Sequence, residues 1–349
     1  MSPDLGILAR FSAALLGVIT FASLITAPAA AADPPTRPAT IVAMGDSLAS
    51  GEGGGDYEPG GVPGQWCHRS ANAQVQHAKP AGVDAVVNLA CSGATTDSVR
   101  LGGGRHYGEA PQAEQLKTVA RTHDIRSIVL TVGANDVPVV GVALECALRP
   151  VLPLPGCADR WNTKLPEKLK RIQPRITQNL RDIRTVMRQA GYADGSYDLI
   201  LQSYVSPSSG ESRYSTARGV LEGCPFRAKD TAWVRDAMFP MISRSMAEAA
   251  SAVPGVRFLG LTGALDGRQV CAPGIDHDSE LSWGLSLDPS GLRYGPGPNL
   301  VSQSLHPNAA GYRELARCLS AFHATPARSA DCERTGDKVS LVTSSVTSP

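Results

Sequence analysis

Four short stretches carry side chains suited to acyl transfer: Gly45-Asp46-Ser47-Leu48, Cys91-Ser92-Gly93, Gly133-Ala134-Asn135-Asp136 and Ser304-Leu305-His306-Pro307-Asn308. A serine hydroxyl is a weak nucleophile until a positioned base takes its proton, and histidine is the usual base near neutral pH. Ser47 and His306 supply that pair. A tetrahedral intermediate also needs preorganised donors around its oxyanion. The N–H of Gly93 has no Cβ beside it to block close approach; the Asn135 amide and the Ser47 N–H are the other two candidates. Asp46, next to the nucleophile, reads as a side chain that holds the turn by hydrogen-bonding backbone.

These residues need a scaffold. Short, nearly continuous apolar runs lie at Thr40–Gly45, Ala85–Ala90, Ser127–Val132, Leu199–Val205 and Val256–Leu261. Such runs are strands covered on both faces, which means a parallel sheet. Helical patterns separate them. One spans Ala113–Thr122, and another carries Ile172, Ile176, Leu180, Ile183 and Met187 on one face with Arg175, Arg181, Arg184 and Arg188 on the other. A third runs from about Lys229 to Val253 with a kink at Pro240, and a last one follows Pro307. The alternation predicts an α/β fold, a three-layer α/β/α sandwich around a mostly parallel five-stranded sheet. In such sheets the site lies beyond the carboxyl ends of the strands, and Ser47, Gly93 and Asn135 all follow predicted strands.

The four stretches, in this order, resemble the GDSL, or SGNH, hydrolase superfamily, whose letters stand for catalytic Ser, Gly, Asn and His. Here these fall on Ser47 in GDSL, Gly93 in CSGATT, Asn135 in GANDV and His306 in SLHPNAAGY. GDSLASGEGGGDY together with the cysteines is most similar to secreted actinomycete lipases and esterases. The resemblance implies a serine esterase or lipase without a cofactor or metal, acting on lipid or small acyl esters as a monomer with transient contact to a lipid interface. One position departs from the family. Three residues before the histidine the family usually has Asp, and this chain has Gln303. Some secreted members lack the acid and orient the ring with a main-chain carbonyl, so the Gln303 carbonyl is the expected partner. Asp276, Asp278 and Asp288 are the alternative source of a carboxylate.

Eight cysteines lie beyond residue 32: Cys67, Cys91, Cys146, Cys157, Cys224, Cys271, Cys318 and Cys332. An even number allows complete pairing in an oxidising compartment, and eight permit 105 connectivities. Pairing in chain order, 67–91, 146–157, 224–271 and 318–332, closes loops that each span one connection between elements and is the preferred reading; the resemblance supports it, since the related secreted enzymes carry disulfides at comparable places. The apolar run Phe11–Thr26 followed by Ala-rich sequence has the layout of a secretory signal cut after Ala32. At about 16 residues it falls short of the roughly 20 needed to span a bilayer. The expected organisation is therefore signal 1–32, linker 33–39, hydrolase domain 40–333 and a polar, disordered tail 334–349, in a protein destined for the extracellular space.

Other functions fit less well. The formal net charge is +1, which gives no electrostatic footprint for nucleic acid. Gly51, Gly53, Gly54 and Gly55 lack the spacing and the lysine of a phosphate loop, and Glu52 and Asp56 would repel phosphate. Asp276, His277 and Asp278 could hold a cation but read as solvated loop residues. A carbohydrate O-acetylesterase and a non-catalytic binding protein on the same fold are the competing readings.

Overall fold

The computed structural model describes residues 37–59, 66–137, 141–142, 145, 156–209, 223–286 and 301–343. The expected signal, most of the linker, and Cys146 and Asp288 lie outside the described residues. Seven strands form one sheet: β1 (Ala39–Gly45), β2 (Ala85–Asn88), β3 (Asp124–Thr131), β4 (Asp198–Gln202), β5 (Arg257–Gly260), β6 (Ser329–Thr335) and β7 (Lys338–Val342). Their order is β2-β1-β3-β4-β5-β6-β7, and every pairing is parallel except β6 with β7. The α/β class holds, and the first five strands are those expected. The sheet has seven strands rather than five. Of the stretch 334–349 read as a disordered tail, residues 334–342 instead complete β6, turn at Gly336 (φ 61°) and return as β7, and 344–349 lie outside the described residues. Val339 and Leu341 alternate toward the core while their neighbours face water, so this ribbon carries one apolar face and never shows the continuous apolar run of a buried strand.

Four short or medium helices come first: α1 (Ser47–Ser50), α2 (Gln74–His77), α3 (Thr96–Val99) and α4 (Gln112–Thr122). The 33-residue α5 (Cys157–Gln189) follows. It buries Ile172, Ile176, Leu180, Ile183 and Met187 as their spacing predicts, and extends further back through Pro166 and Pro174 than proline alone would suggest. α6 (Ala228–Trp233) passes through a π-helical turn, Val234–Met238, into α7 (Phe239–Ser251). The widened turn sits immediately before Pro240, the residue that cannot donate its main-chain bond, at the place of the expected kink. α8 (Ala309–His323) is the last helix. α5 packs on α4 and α7, and α2 packs on α8. Ile41, Val42, Met44, Ile128, Leu130, Ile200, Leu201 and Leu259 are fully or almost fully buried between the helical layers.

Three disulfides follow chain order: Cys67–Cys91, Cys224–Cys271 and Cys318–Cys332. The last ties α8 to β6. Cys157 is disulfide-bonded as well; its expected partner Cys146 is among the residues not described. No helix among the described residues is long and apolar enough to cross a membrane.

Candidate active site

The chain leaves β1, goes to β2 on one side, and later returns to β3 on the other, so β1 and β3 flank the point where the strand order reverses. Crevices beyond the strands form at such points. Gly45, the last residue of β1, has φ 127°, and a Cβ there would overlap the Thr131 carbonyl at the end of β3. Only glycine lets the two strand ends approach this closely. Asp46 then caps α1, accepting from the Leu48 N–H at 3.3 Å, and Ser47 begins the helix. Its Oγ lies 2.8 Å from His306 Nε2.

His306 arrives from the other end of the chain, in the loop before α8. Asn308 caps that helix by accepting from the Gly311 N–H at 3.0 Å. Leu305, beside the histidine, sits at φ 63°, a left-handed conformation uncommon for a bulky side chain. The turn brings His306 Nδ1 to 3.1 Å from the Ser304 carbonyl. This corrects the expected partner by one residue: the Gln303 carbonyl is occupied by the main-chain N–H of His306 at 3.1 Å. With Nδ1–H donating to Ser304, Nε2 is left to accept from the serine hydroxyl. No carboxylate among the described residues hydrogen-bonds the ring. Burial holds the His306 pKa below the ordinary histidine value, and Glu52 together with the Ser304 and Ser302 carbonyls pulls it back upward.

Gly93 follows β2 at φ 80°, against the rings of His106 and Tyr107. Asn135 follows β3; its Nδ2 donates to the Ala94 carbonyl at 2.9 Å, which fixes the amide against the Gly93 loop. Asp136 locks the same loop from the other side, accepting from the Thr96 N–H at 2.9 Å and the Thr96 hydroxyl at 2.6 Å. The structure thus brings Ser47 and His306 into contact, ties Asn135 to the Gly93 loop, and sets Ser47, Asn135 and His306 around one hollow.

Three supporting residues escape a reading of local motifs. Tyr204, just past β4, donates from its hydroxyl to Asp46 Oδ2 at 2.5 Å and accepts from the Ala134 N–H at 3.0 Å, so one phenol joins the ends of β1, β3 and β4. Burial pushes Asp46 up to about 7 against the opposing pull of the Tyr204 hydroxyl and the Leu48 N–H. Gln112 clasps Gly45 through two 2.7 Å bonds, one to its N–H and one to its carbonyl. Glu52 is buried beside the site and accepts from His68 and Ser92. The signal for Tyr204 is its position at a strand's carboxyl end; the other two have none in the sequence.

From Ser47 and His306 an apolar hollow runs inward past Leu48, Val205, Phe226, Met238, Phe239 and Ile242. The Asp276–Asp278 segment lies apart from the His306 ring contacts. His277 pairs with Glu280 at 3.0 Å, and no cluster of metal-ligating side chains occurs among the described residues.

The profile of the GDSL-like Lipase/Acylhydrolase family matches residues 43–314. The chain belongs to that family. Members of the GDSL-like family are ester hydrolases, and the matched span runs from within β1 through Ser47 and His306 into α8. A search of curated proteins finds no match. Among solved structures, this GDSL-like chain is similar to a phospholipase A1 from Streptomyces albidoflavus NA297, at 20% identity and TM-score 0.53 over 79% of this chain and 94% of that one. It is also similar to an extracellular lipase from Streptomyces rimosus, at 19% identity and TM-score 0.49 over 80% and 98%. The first of these likenesses supports the fold.

Proposed function

We propose that this protein is a secreted carboxylic ester hydrolase that cleaves esters of apolar acyl chains through a Ser47 acyl-enzyme. The observation that carries the reading is the 2.8 Å contact between Ser47 Oγ and His306 Nε2 at the mouth of the apolar hollow. Ser47 Oγ attacks the ester carbonyl carbon as its proton passes to Nε2, and the carbonyl π pair moves onto oxygen. The N–H groups of Ser47 and Gly93 and the Asn135 amide receive that oxyanion. Collapse of the intermediate breaks the bond to the alcohol oxygen, which takes the proton back from Nε2. Water then repeats the sequence on the acyl-enzyme, releasing acid and free Ser47. The Ser304 carbonyl keeps the ring in the tautomer this needs.

The hollow supports a lipid-like acyl group, since an acetyl group would leave most of its apolar wall unused. That disfavours a carbohydrate O-acetylesterase. Secretion is supported by the disulfides, three of them with both cysteines among the described residues, since such bonds persist in oxidising compartments. The test is a nitrophenyl ester series of increasing acyl length, run with the wild type, Ser47→Ala and His306→Ala. Each substitution is expected to lower kcat by about 10⁴-fold or more, with the double variant little worse than either single one. Wild-type kcat/KM is expected to rise with chain length beyond acetyl. Turnover retained by folded Ser47→Ala overturns the mechanism, and a preference for acetyl overturns the substrate class.

A further inference from the structure

A catalytic triad uses its carboxylate both to orient the histidine and to stabilise the imidazolium that forms when the serine is deprotonated. Here Nδ1 meets main-chain carbonyl instead. That accounts for orientation but supplies no full negative charge.

A buried carboxylate stands close by. Glu52 follows α1, and its side chain is 1% exposed. The adjoining Gly53 packs directly on the histidine: a Cβ at 53 would come within 3.1 Å of His306 Cβ. Trp283 fastens the two segments. Its indole N–H donates to the Gly53 carbonyl at 2.7 Å, its main-chain N–H donates to the His306 carbonyl at 2.9 Å, and its carbonyl accepts from the Leu305 N–H at 3.0 Å. The Tyr312 hydroxyl donates to the Glu52 carbonyl at 2.7 Å, adding an anchor from α8.

The carboxylate itself is held as an anion. His68 Nδ1 lies 2.9 and 3.1 Å from its two oxygens, the Ser92 hydroxyl donates at 2.7 Å, and the Tyr57 hydroxyl lies at 3.4 Å. His68 adopts φ 46° to make this contact and stacks on Tyr57. Among the described residues, the titratable groups around Glu52 are His68, Tyr57, Tyr107, Tyr312 and His306.

We propose that Glu52 is a positioning charge: a buried carboxylate, fixed by His68 and Ser92, that favours the imidazolium form of His306 through space. It takes over the electrostatic share of a triad acid, none of which bonds the ring among the described residues, and leaves orientation to the Ser304 carbonyl. The inference rests on His306 being the general base. Its direction agrees with the ionisation of both groups: His68, His306 and Ser92 hold the Glu52 pKa below the usual carboxylate value in spite of burial, and Glu52 raises that of His306. Charges in a dry site act over several ångströms because little water screens them.

The test is kcat and kcat/KM from pH 5 to 9 on one soluble ester, for wild type, Glu52→Gln and His68→Asn, with Ser47→Ala and His306→Ala alongside. Glu52→Gln is expected to lower kcat about 10- to 100-fold. It is also expected to move the acid limb of kcat/KM, which reports protonation of His306 in the free enzyme, to lower pH by about half a unit or more. His68→Asn tolerates the left-handed backbone but is too short to hold the carboxylate. Glu52 then takes up a proton more readily, so kcat is expected to fall off at a higher pH than in the wild type. The two variants thus shift the profile in opposite directions, which a misplaced loop would not do. An unmoved acid limb in folded Glu52→Gln, or a rise in its kcat, overturns the proposal. If Glu52→Gln does not fold, a His68→Asn profile parallel to wild type overturns it. Should Ser47→Ala or His306→Ala stay active, the ester-hydrolase reading has failed; should both be inactive while the limb stays in place, only the role of Glu52 has.

Discussion

Asn135 spends one hydrogen of its amide on the Ala94 carbonyl, which fixes the amide plane of a residue that lines the hollow beside Ser47. Asn135→Ala is therefore expected to cost about 100- to 1000-fold in kcat with little change in a thermal melt, measured side by side. Gln303 makes the opposite case. Its side-chain amide donates to the Ser286 hydroxyl at 3.0 Å, and its carbonyl serves the His306 main chain. Gln303→Ala is expected to keep kcat within about tenfold of wild type in the same assay, and a loss near 10⁴-fold would mean that the side chain supports proton transfer. That Ser47 and His306 meet, and that Gly93 and Asn135 sit on loops following β2 and β3, was legible in the sequence because each lies in a short local pattern. The choice of the Ser304 carbonyl over that of Gln303 was not, since it depends on the left-handed torsion at Leu305. Tyr204 was hidden for a different reason: its partner Asp46 is 158 positions away.

At the scale of elements, the Tyr204 phenol is the joint between three strands. Tyr204→Phe takes the hydroxyl donor from one oxygen of buried Asp46 and leaves the Ala134 N–H with Asp46 alone, at about 1–3 kcal/mol for a buried group stranded. The expected result is a melting temperature lowered by several degrees together with a fall in kcat, because the Ser47 turn and the Asn135 loop lose their common support. A melt unchanged from wild type would show that water replaces the phenol. Strands β1 to β5 could be read from their apolar runs; β6 and β7 could not, because only alternate residues of β7 face the protein. The start of α5 was obscured by Pro166 and Pro174, whose disruption of a helix is offset by the apolar face packed on α4 and α7.

For the molecule as a whole, Asp46 sets a pH dependence. Its folded pKa of about 7 lies above its ordinary value of 3.8. The folded state therefore keeps a proton that the unfolded chain has already released. Stability from this group falls as pH rises from about 4 to 7, at a limit of about 1.4 kcal/mol per unit. The buried, depressed His306 acts with the opposite sign below 6.5, so the clean measurement is a difference. Denaturant unfolding of wild type minus Asp46→Asn is expected to decline by a few kcal/mol between pH 4 and 8, and a flat difference would refute the raised pKa.

The contact between Ser47 and His306 joins positions 259 residues apart. Nothing local can create it, and closing so long a segment waits on the parallel pairings that bring β1, β3, β4 and β5 together. With Ser47 and His306 acting together as proposed, turnover is a clock that starts only when the last turn before α8 has docked. In refolding from denaturant with disulfides intact, activity is expected to return after the far-ultraviolet signal.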